Sequence, residues 1–150
     1  MKLFGKKKSK AVAPVCRSFA DAKRLLLIIN PVSGKLKARA SAFDIIEIIT
    51  DAGYVPTVMM TKYRGHAREL ASTAEEHGFS RIVCCGGDGT LNEVVNGVVG
   101  YGNAAVTHFP GGSGNDTIKI FDDPAAFTSI ERLLDAEEAR FDLIRCNDSY

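Results

Sequence analysis

Gly86-Gly87-Asp88-Gly89-Thr90 sets three glycines around one carboxylate, directly after the apolar run Arg81-Ile82-Val83-Cys84-Cys85 and before a helix-like pattern. Glycines let a backbone turn tightly and expose its N–H groups, and a helix start at the same place adds positive partial charge. Such a turn suits an anion, above all a phosphate. Asn30-Pro31-Val32-Ser33-Gly34, Thr61 to Gly65 and Gly111-Gly112-Ser113-Gly114-Asn115-Asp116 carry related chemistry. Ser33, Gly34, Gly86, Gly87 and Gly89 are candidates for bringing backbone donors to phosphate oxygens, and Thr61, Thr90 and Ser113 for hydroxyl contacts. Asn30, Asn92 and Asn115 can bridge polar ligand groups or fix the loops themselves. Asp88 and Asp116 are candidates for holding Mg²⁺ or its water shell.

Each residue also has a plainer reading. Asn30 can cap the turn that follows it, Asp116 the helix that starts near Thr117, and Thr90 can be an ordinary first-turn residue. Asp88, between glycines, has no evident packing role.

These residues need elements to hold them. Arg24-Leu25-Leu26-Leu27-Ile28-Ile29-Asn30 is a continuous apolar run, the mark of a strand covered on both faces. From Lys37 to Ala52, residues Ala42, Ile45, Ile46, Ile49 and Ala52 recur at helical spacing, with Gly53 as the stop. Tyr54 to Thr61 reads as a second strand that Pro56 pushes toward a sheet edge. His66 to His77 reads as a helix with Ala67, Leu70, Ala71 and Ala74 inward and Gly78 at its end. Leu91, Val94, Val95 and Val98 share one face of the helix after the glycine turn, which Gly100 ends. Ala104 to Phe109 is a fourth strand. Ala125 to Leu134, introduced by Pro124, reads as one further helix, and Arg140 to Cys146 as a last strand.

Alternating strands and helices predict an α/β layered fold with a mostly parallel sheet flanked by helices and right-handed crossovers. All four polar loops follow strands, so a parallel sheet gathers them at one edge. Ligands bind at that carboxyl edge in open α/β sheets.

With 150 residues, 45% hydrophobic, the chain can bury one core as a single domain. A net charge of +1 gives no global case for a nucleic-acid partner. Lys2, Lys6, Lys7, Lys8 and Lys10, with Arg17 beyond, make residues 1–22 a basic segment, read as a solvated flexible tail or as one drawn to anionic headgroups. No run approaches the ~20 apolar residues of a membrane span, and no secretion-signal core follows the lysines. A cytoplasmic protein is expected, with peripheral membrane contact open. Cys16, Cys84, Cys85 and Cys146 lack metal-ligand spacing and read as reduced thiols, Cys84 and Cys85 facing opposite sides of their strand. His66, His77 and His108 form no cluster, so no metal site is assigned to them.

Common nucleotide motifs fit poorly. A P-loop ending at Gly34-Lys35 would need glycine at Ile29 and a hydroxyl residue at Leu36, and a dinucleotide fingerprint beginning at Gly87 would need a small residue at Asn92. The ordered set fits another pattern. Asn30-Pro31-Val32-Ser33-Gly34, then Thr61 with Gly65-His66-Ala67, then Gly86 through Gly97, then Pro110-Gly111-Gly112-Ser113-Gly114-Asn115-Asp116 together resemble the diacylglycerol kinase catalytic domain of bacterial lipid, ceramide and sphingosine kinases.

The resemblance runs from about Arg24 onward, and Gly112-Ser113 departs from a commoner Gly-Thr while keeping the hydroxyl. It implies a phosphofructokinase-like, Rossmann-like nucleotide lobe over 23–150. It also implies an ATP site of Asn30, Pro31, Val32, Ser33, Gly34, Thr61, Gly86, Gly87, Asp88, Gly89, Thr90, Leu91, Asn92 and Ser113. ATP with Mg²⁺ would be the phosphoryl donor and a lipid alcohol at a membrane surface the acceptor, with Asp88 as the catalytic carboxylate; a homodimer stays open. Family members continue into a second, β-rich lobe that carries much of the lipid cleft. Phe141 to Asn147 is expected to lead into that lobe, and the fragment alone is expected to transfer phosphate barely. An NAD kinase, which shares the central glycine turn, and a non-catalytic nucleotide-binding module are the alternatives.

Overall fold

The computed structural model describes residues 22–34, 42–100 and 104–150. Residues 1–21, most of the basic segment, lie outside that range, as do Lys37 to Ser41 of the first expected helix. In the described residues the chain runs β1 (Lys23–Ile29), α1 (Ala42–Asp51), β2 (Tyr54–Met60), α2 (His66–Ser72), β3 (Arg81–Gly86), α3 (Asp88–Val98) and β4 (Ala105–Pro110). Two 3-10 turns, Asp116–Ile120 and Pro124–Thr128, precede the short helix α4 (Ile130–Asp135).

The four strands form one sheet in the order β2-β1-β3-β4, and all three pairings are parallel. Central position explains composition. β1 is buried from Leu25 to Ile29 and β3 along its whole length, which is why both read as unbroken apolar runs rather than alternating ones. β2 lies at an edge, where Pro56 costs no central ladder bond.

Alternate side chains of the central strands supply two cores. Leu25, Leu27, Ile29, Val83 and Cys85 pack with Ile45 and Ile49 of α1 and with Ile130, Leu133 and Leu134 of α4. Leu26, Ile28, Ile82 and Cys84 pack on the other face with Ala67 and Ala71 of α2 and Leu91 and Val94 of α3. Cys84 and Cys85 therefore point to opposite faces; both are free thiols that burial pushes up in pKa, Cys85 to about 12. On the second face α2 and α3 come so close that a Cβ on Gly97 would lie 2.5 Å from the Arg68 carbonyl oxygen.

The chain winds outward in two directions from the middle. From β1 it crosses by α1 to β2 on one side, and from β3 it crosses by α3 to β4 on the other. With α1 on one face and α2 and α3 on the opposite face, both directions keep one crossover hand. The strand order reverses between β1 and β3, which leaves a crevice beyond their carboxyl ends.

Three expectations need correction. The helix expected over Ala125 to Leu134 is two pieces: Ser129 takes an extended conformation and caps α4, its side chain accepting from the Arg132 N–H. The hydroxyl offered a competing local bond that restarts the helix. The strand expected over Arg140 to Cys146 does not form; residues 137–145 are exposed and pair with no strand among the described residues, leaving only an isolated Cys146–Ser149 bridge. β propensity without a partner edge yields no strand. The helix expected to reach His77 is regular only to Ser72, then continues as turns to Gly78, although Ala74 is still buried. Gly53, Gly78 and Gly100 do act as stops, each in the left-handed conformation.

At the far edge of the sheet from the crevice, Arg81 is 7% exposed. Its guanidinium donates to the carbonyls of Leu134 at 3.1 Å and Leu133 at 3.4 Å, closing the C-terminus of α4, and faces Glu138 at 3.5 Å. Arg81→Met should lower unfolding free energy by about 1.5–3 kcal/mol, the range for hydrogen bonds to a charged group. Urea denaturation measures it, with the crevice 's ligand affinity expected to stay unchanged because this contact lies at the opposite strand ends.

Candidate functional site

The loops after β1, β2, β3 and β4 do meet at one edge. The Asn30 N–H donates to the Cys85 carbonyl at 2.9 Å, Thr61 to Ile29 at 2.8 Å and Gly111 to Gly86 at 2.7 Å, so each loop leaves its strand tied to the neighbour. A crevice of about 720 Å³ opens there. Among the expected site residues, Asn30, Pro31, Val32 and Ser33 line it from β1, Thr61 from β2, and Gly87, Gly89, Thr90 and Asn92 from the start of α3.

Others lie elsewhere. Leu91 belongs to the core beneath α3 and is 8% exposed, so its side chain is packing, not lining. Gly86 is buried, Ser113 and Gly34 are exposed, and Asp88 is half-buried; none of the four lines the crevice. Lys62, Tyr63, Arg64 and Glu93 line the crevice although the sequence reading gave them no role. Two cations in the loop at Thr61 to Gly65 were the available signal.

The glycines also meet a requirement inside the chain. Gly86, Gly87 and Gly89 all avoid the left-handed region. Two of them are needed for close approach: a Cβ on Gly86 would lie 2.7 Å from the Thr90 side chain, and one on Gly87 would lie 3.2 Å from Gly112 Cα. Reciprocally, a Cβ on Gly112 would stand 2.7 Å from Gly87 Cα. The β3–α3 and β4 loops thus touch backbone to backbone.

Asparagines fix these loops. Asn30 Oδ1 accepts from the Val32 N–H at 3.1 Å while its Nδ2 donates to Thr90 Oγ1 at 2.9 Å, locking the β1 loop to the first turn of α3. Asn115 is left-handed and 6% exposed; its amide brackets Gly112, accepting from the N–H at 3.1 Å and donating to the carbonyl at 2.8 Å. Asn92 and Asn96 hold the backbone of Tyr150, both donating to its carbonyl, at 2.7 and 2.8 Å.

Asp88 also has a structural occupation, against the expectation that it packs nothing. Its Oδ2 accepts from the Asp116 N–H at 2.9 Å, and Oδ1 from the Thr117 N–H at 3.1 Å and hydroxyl at 2.9 Å. It caps the 3-10 turn at Asp116, so that Asp116 does not cap it with its own side chain. Partial burial alone would push the Asp88 carboxyl up, but the three donors outweigh it and hold it below the ordinary carboxylate range. Three of its roughly four acceptor positions are filled, and no three His, Cys, Asp or Glu side chains gather as a metal site among the described residues. The side chains do not fit a protein-built Mg²⁺ cage.

Glu93 caps a second terminus. It accepts from the N–H groups of Gly65 at 2.8 Å and Ala67 at 3.2 Å, fastening the start of α2 to α3. By contrast α3, eleven residues long, begins at Gly87 with no side-chain cap. Its first N–H groups face the crevice end of the helix with their share of the helix dipole.

An open parallel α/β sheet with a crevice at its switch point and an uncapped helix N-terminus belongs to the class of α/β folds whose ligand sites form at that edge, and its chemistry suits an anion. The family model described as the diacylglycerol kinase catalytic domain matches residues 24–146, and the chain belongs to that family. It is 30% identical over 130 residues to a diacylglycerol kinase of Staphylococcus saprophyticus, covering 85% of this chain and 43% of that protein. It is 36% identical over 109 residues to sphingosine kinase 2 of Arabidopsis thaliana, covering 68% of this chain and 23% of the relative. The chain thus spans less than half the length of these relatives. A crystal structure of a diacylglycerol kinase from Bacillus anthracis superposes with a TM-score of 0.58 at 21% identity, covering 75% of this chain and 38% of that one. This likeness bears on the fold, a mostly parallel sheet flanked by helices, as the sequence predicted. The relatives it matches carry lipid-kinase names, a diacylglycerol kinase and a sphingosine kinase. No helix among the described residues is long and apolar enough to cross a membrane.

Two outcomes follow from the capping carboxylates. Because the folded Asp88 carboxyl lies below its unfolded value, its contribution is present above about pH 4, the unfolded range, and is lost as pH falls through the folded value. Asp88→Asn should flatten that acid limb in pH-dependent unfolding measurements. Glu93→Ala should cost about 1 kcal/mol, as loss of a cap does, and amide exchange over 61–67 should accelerate selectively.

Proposed function

We propose that the chain is the ATP-binding lobe of a lipid kinase, which holds the donor nucleotide while its γ-phosphoryl group passes to the hydroxyl of diacylglycerol or a related lipid alcohol. The observation that carries this reading is the uncapped start of α3 at the switch point, walled by the β1 loop and flanked by Lys62 and Arg64. The relatives, a diacylglycerol kinase and a sphingosine kinase, supply the acceptor class.

Phosphoryl transfer asks a protein chiefly to align the reacting groups and to stabilise charge spreading over phosphate oxygens. The N–H groups of Gly87 to Thr90 offer fixed donors, and Lys62 and Arg64 offer mobile positive charge. Thr90 is already committed to Asn30, so its hydroxyl keeps the loops together instead of serving as a free donor. Asp88 holds the β4 loop at the rim of the crevice; we assign it loop positioning, and a role next to the acceptor hydroxyl only through its remaining lone pair. Mg²⁺, when it accompanies ATP, would neutralise phosphate charge and take most of its ligands from phosphates and water. A membrane-surface acceptor makes peripheral attachment part of the proposal.

Gly87→Asp tests the donor site, because its side chain would press on Gly112 and place negative charge at the phosphate position. ATP affinity should fall at least about tenfold, equivalent to 1.4 kcal/mol, in a calorimetric titration in which the fold is checked by circular dichroism. Transfer of labelled γ-phosphate by the full-length protein should reach diacylglycerol or a sphingoid base and not NAD. Labelled NAD without labelled lipid would overturn the acceptor assignment, and unchanged ATP affinity in Gly87→Asp would overturn the site.

A further inference from the structure

His108 sits in β4, is 5% exposed, and is register partner of Cys84, so it points to the face of the sheet that carries α3. Its Nε2 lies 3.0 Å from the Gly86 carbonyl oxygen. A carbonyl can only accept, so Nε2 carries the proton. Nδ1 is buried without a hydrogen-bond partner, and a proton there would be an unsatisfied donor. One neutral tautomer fits this environment.

The carbonyl that His108 grips is the one just before the phosphate-binding turn. It also accepts from the Gly111 N–H at 2.7 Å, so both of its lone pairs are engaged from the β4 side. No peptide bond among the described residues is cis. In a planar trans peptide the N–H lies opposite the C=O, so the Gly87 N–H is aimed away from β4. That direction is the β1 side, where the preceding carbonyl, that of Cys85, meets Asn30 and where Gly87 lines the crevice.

We propose that His108 is a positioning residue: through Nε2–H it locks the Gly86–Gly87 peptide so that the Gly87 N–H stands ready as a donor to a nucleotide phosphate. This rests on the reading of the crevice as a nucleotide site. Nothing else among the described side chains holds the Gly86 oxygen, and the Gly111 bond alone leaves that peptide free to tilt about one contact.

Heteronuclear NMR of the full chain reads the first step without ligand. The His108 ring should show protonated Nε2 and bare Nδ1, and the opposite tautomer would overturn the proposal. His108→Met keeps the bulk and loses the donor, whereas His108→Gln keeps an N–H within reach of the same oxygen. The Gly87 amide resonance should move in His108→Met and return toward its original position in His108→Gln; equal shifts in both, or none in either, would overturn the lock. With MgATP as the probe, His108→Met should bind about tenfold more weakly, the scale of one hydrogen bond to a charged group, and His108→Gln within about twofold. Equal MgATP affinity for the parent and a folded His108→Met variant would overturn the positioning role. Failure of the parent itself to bind MgATP, with the tautomer and Gly87 shifts as expected, would instead overturn the nucleotide reading and leave the peptide lock supported.

Discussion

Gly87 and Gly112 approach each other so closely that neither could carry a side chain without moving the other's backbone. This contact joins two loops that belong to different strands and holds Gly87, which lines the crevice, against the β4 loop behind it. The other contacts at the sheet edge are arranged around it. Asn115 brackets Gly112 from one side, Gly111 reaches Gly86 from below, and Asp88 ties the start of α3 to the turn at Asp116. Each is a modest interaction, but together they leave the β3–α3 turn with one arrangement, and a donor array works on a developing charge only when it does not have to reorganise.

The sheet makes that arrangement possible by being unremarkable elsewhere. β1 and β3 are buried on both faces, so their ends cannot slip in register without exposing one of the two cores. Gly97 lets α2 and α3 pack almost backbone to backbone, and Glu93 then bridges from α3 to the first turn of α2. The position of the Thr61 to Gly65 loop, with its two cations, is therefore inherited from packing on one face of the sheet.

The strands and the loops that follow them were legible because they follow from burial: Leu25 to Ile29 reads as a strand covered on both faces, and Pro56 marks a weak or edge strand, whereas the order β2-β1-β3-β4 came only with the structure. The asparagines and Asp88 were legible as important but not in role, since a side chain that fixes a loop and one that meets a ligand have the same residue types at the same spacing. Only distances separate them, as with Asn30 on Val32 and Thr90. The glycine turn was legible in position, but its close approach to Thr90 and Gly112 is a property of three-dimensional neighbours that no local window contains. Arg140 to Cys146 shows the converse: its local β preference is plain, but a strand exists only through a partner, and the described chain offers it none. His108 carried no signal at all, a lone histidine in an apolar strand.

Electrostatics decides which helix start is left for a ligand. Among the described residues, two N-termini on this side of the sheet already have a carboxylate: Glu93 meets the N–H groups that open α2, and Asp88 those that open the turn at Asp116. Each pairing removes an unsatisfied donor and also spends a negative charge that would otherwise repel phosphate. Glu93 lines the crevice and would be a poor neighbour for an anion if its oxygens faced outward, but both accept from backbone N–H groups. The start of α3 has no such partner, and Lys62 and Arg64 stand beside the same crevice. Internal carboxylates thus saturate the competing positive ends, so the attraction that remains for an incoming phosphate is concentrated at the one terminus where the backbone has been fixed by Gly87 and Gly112.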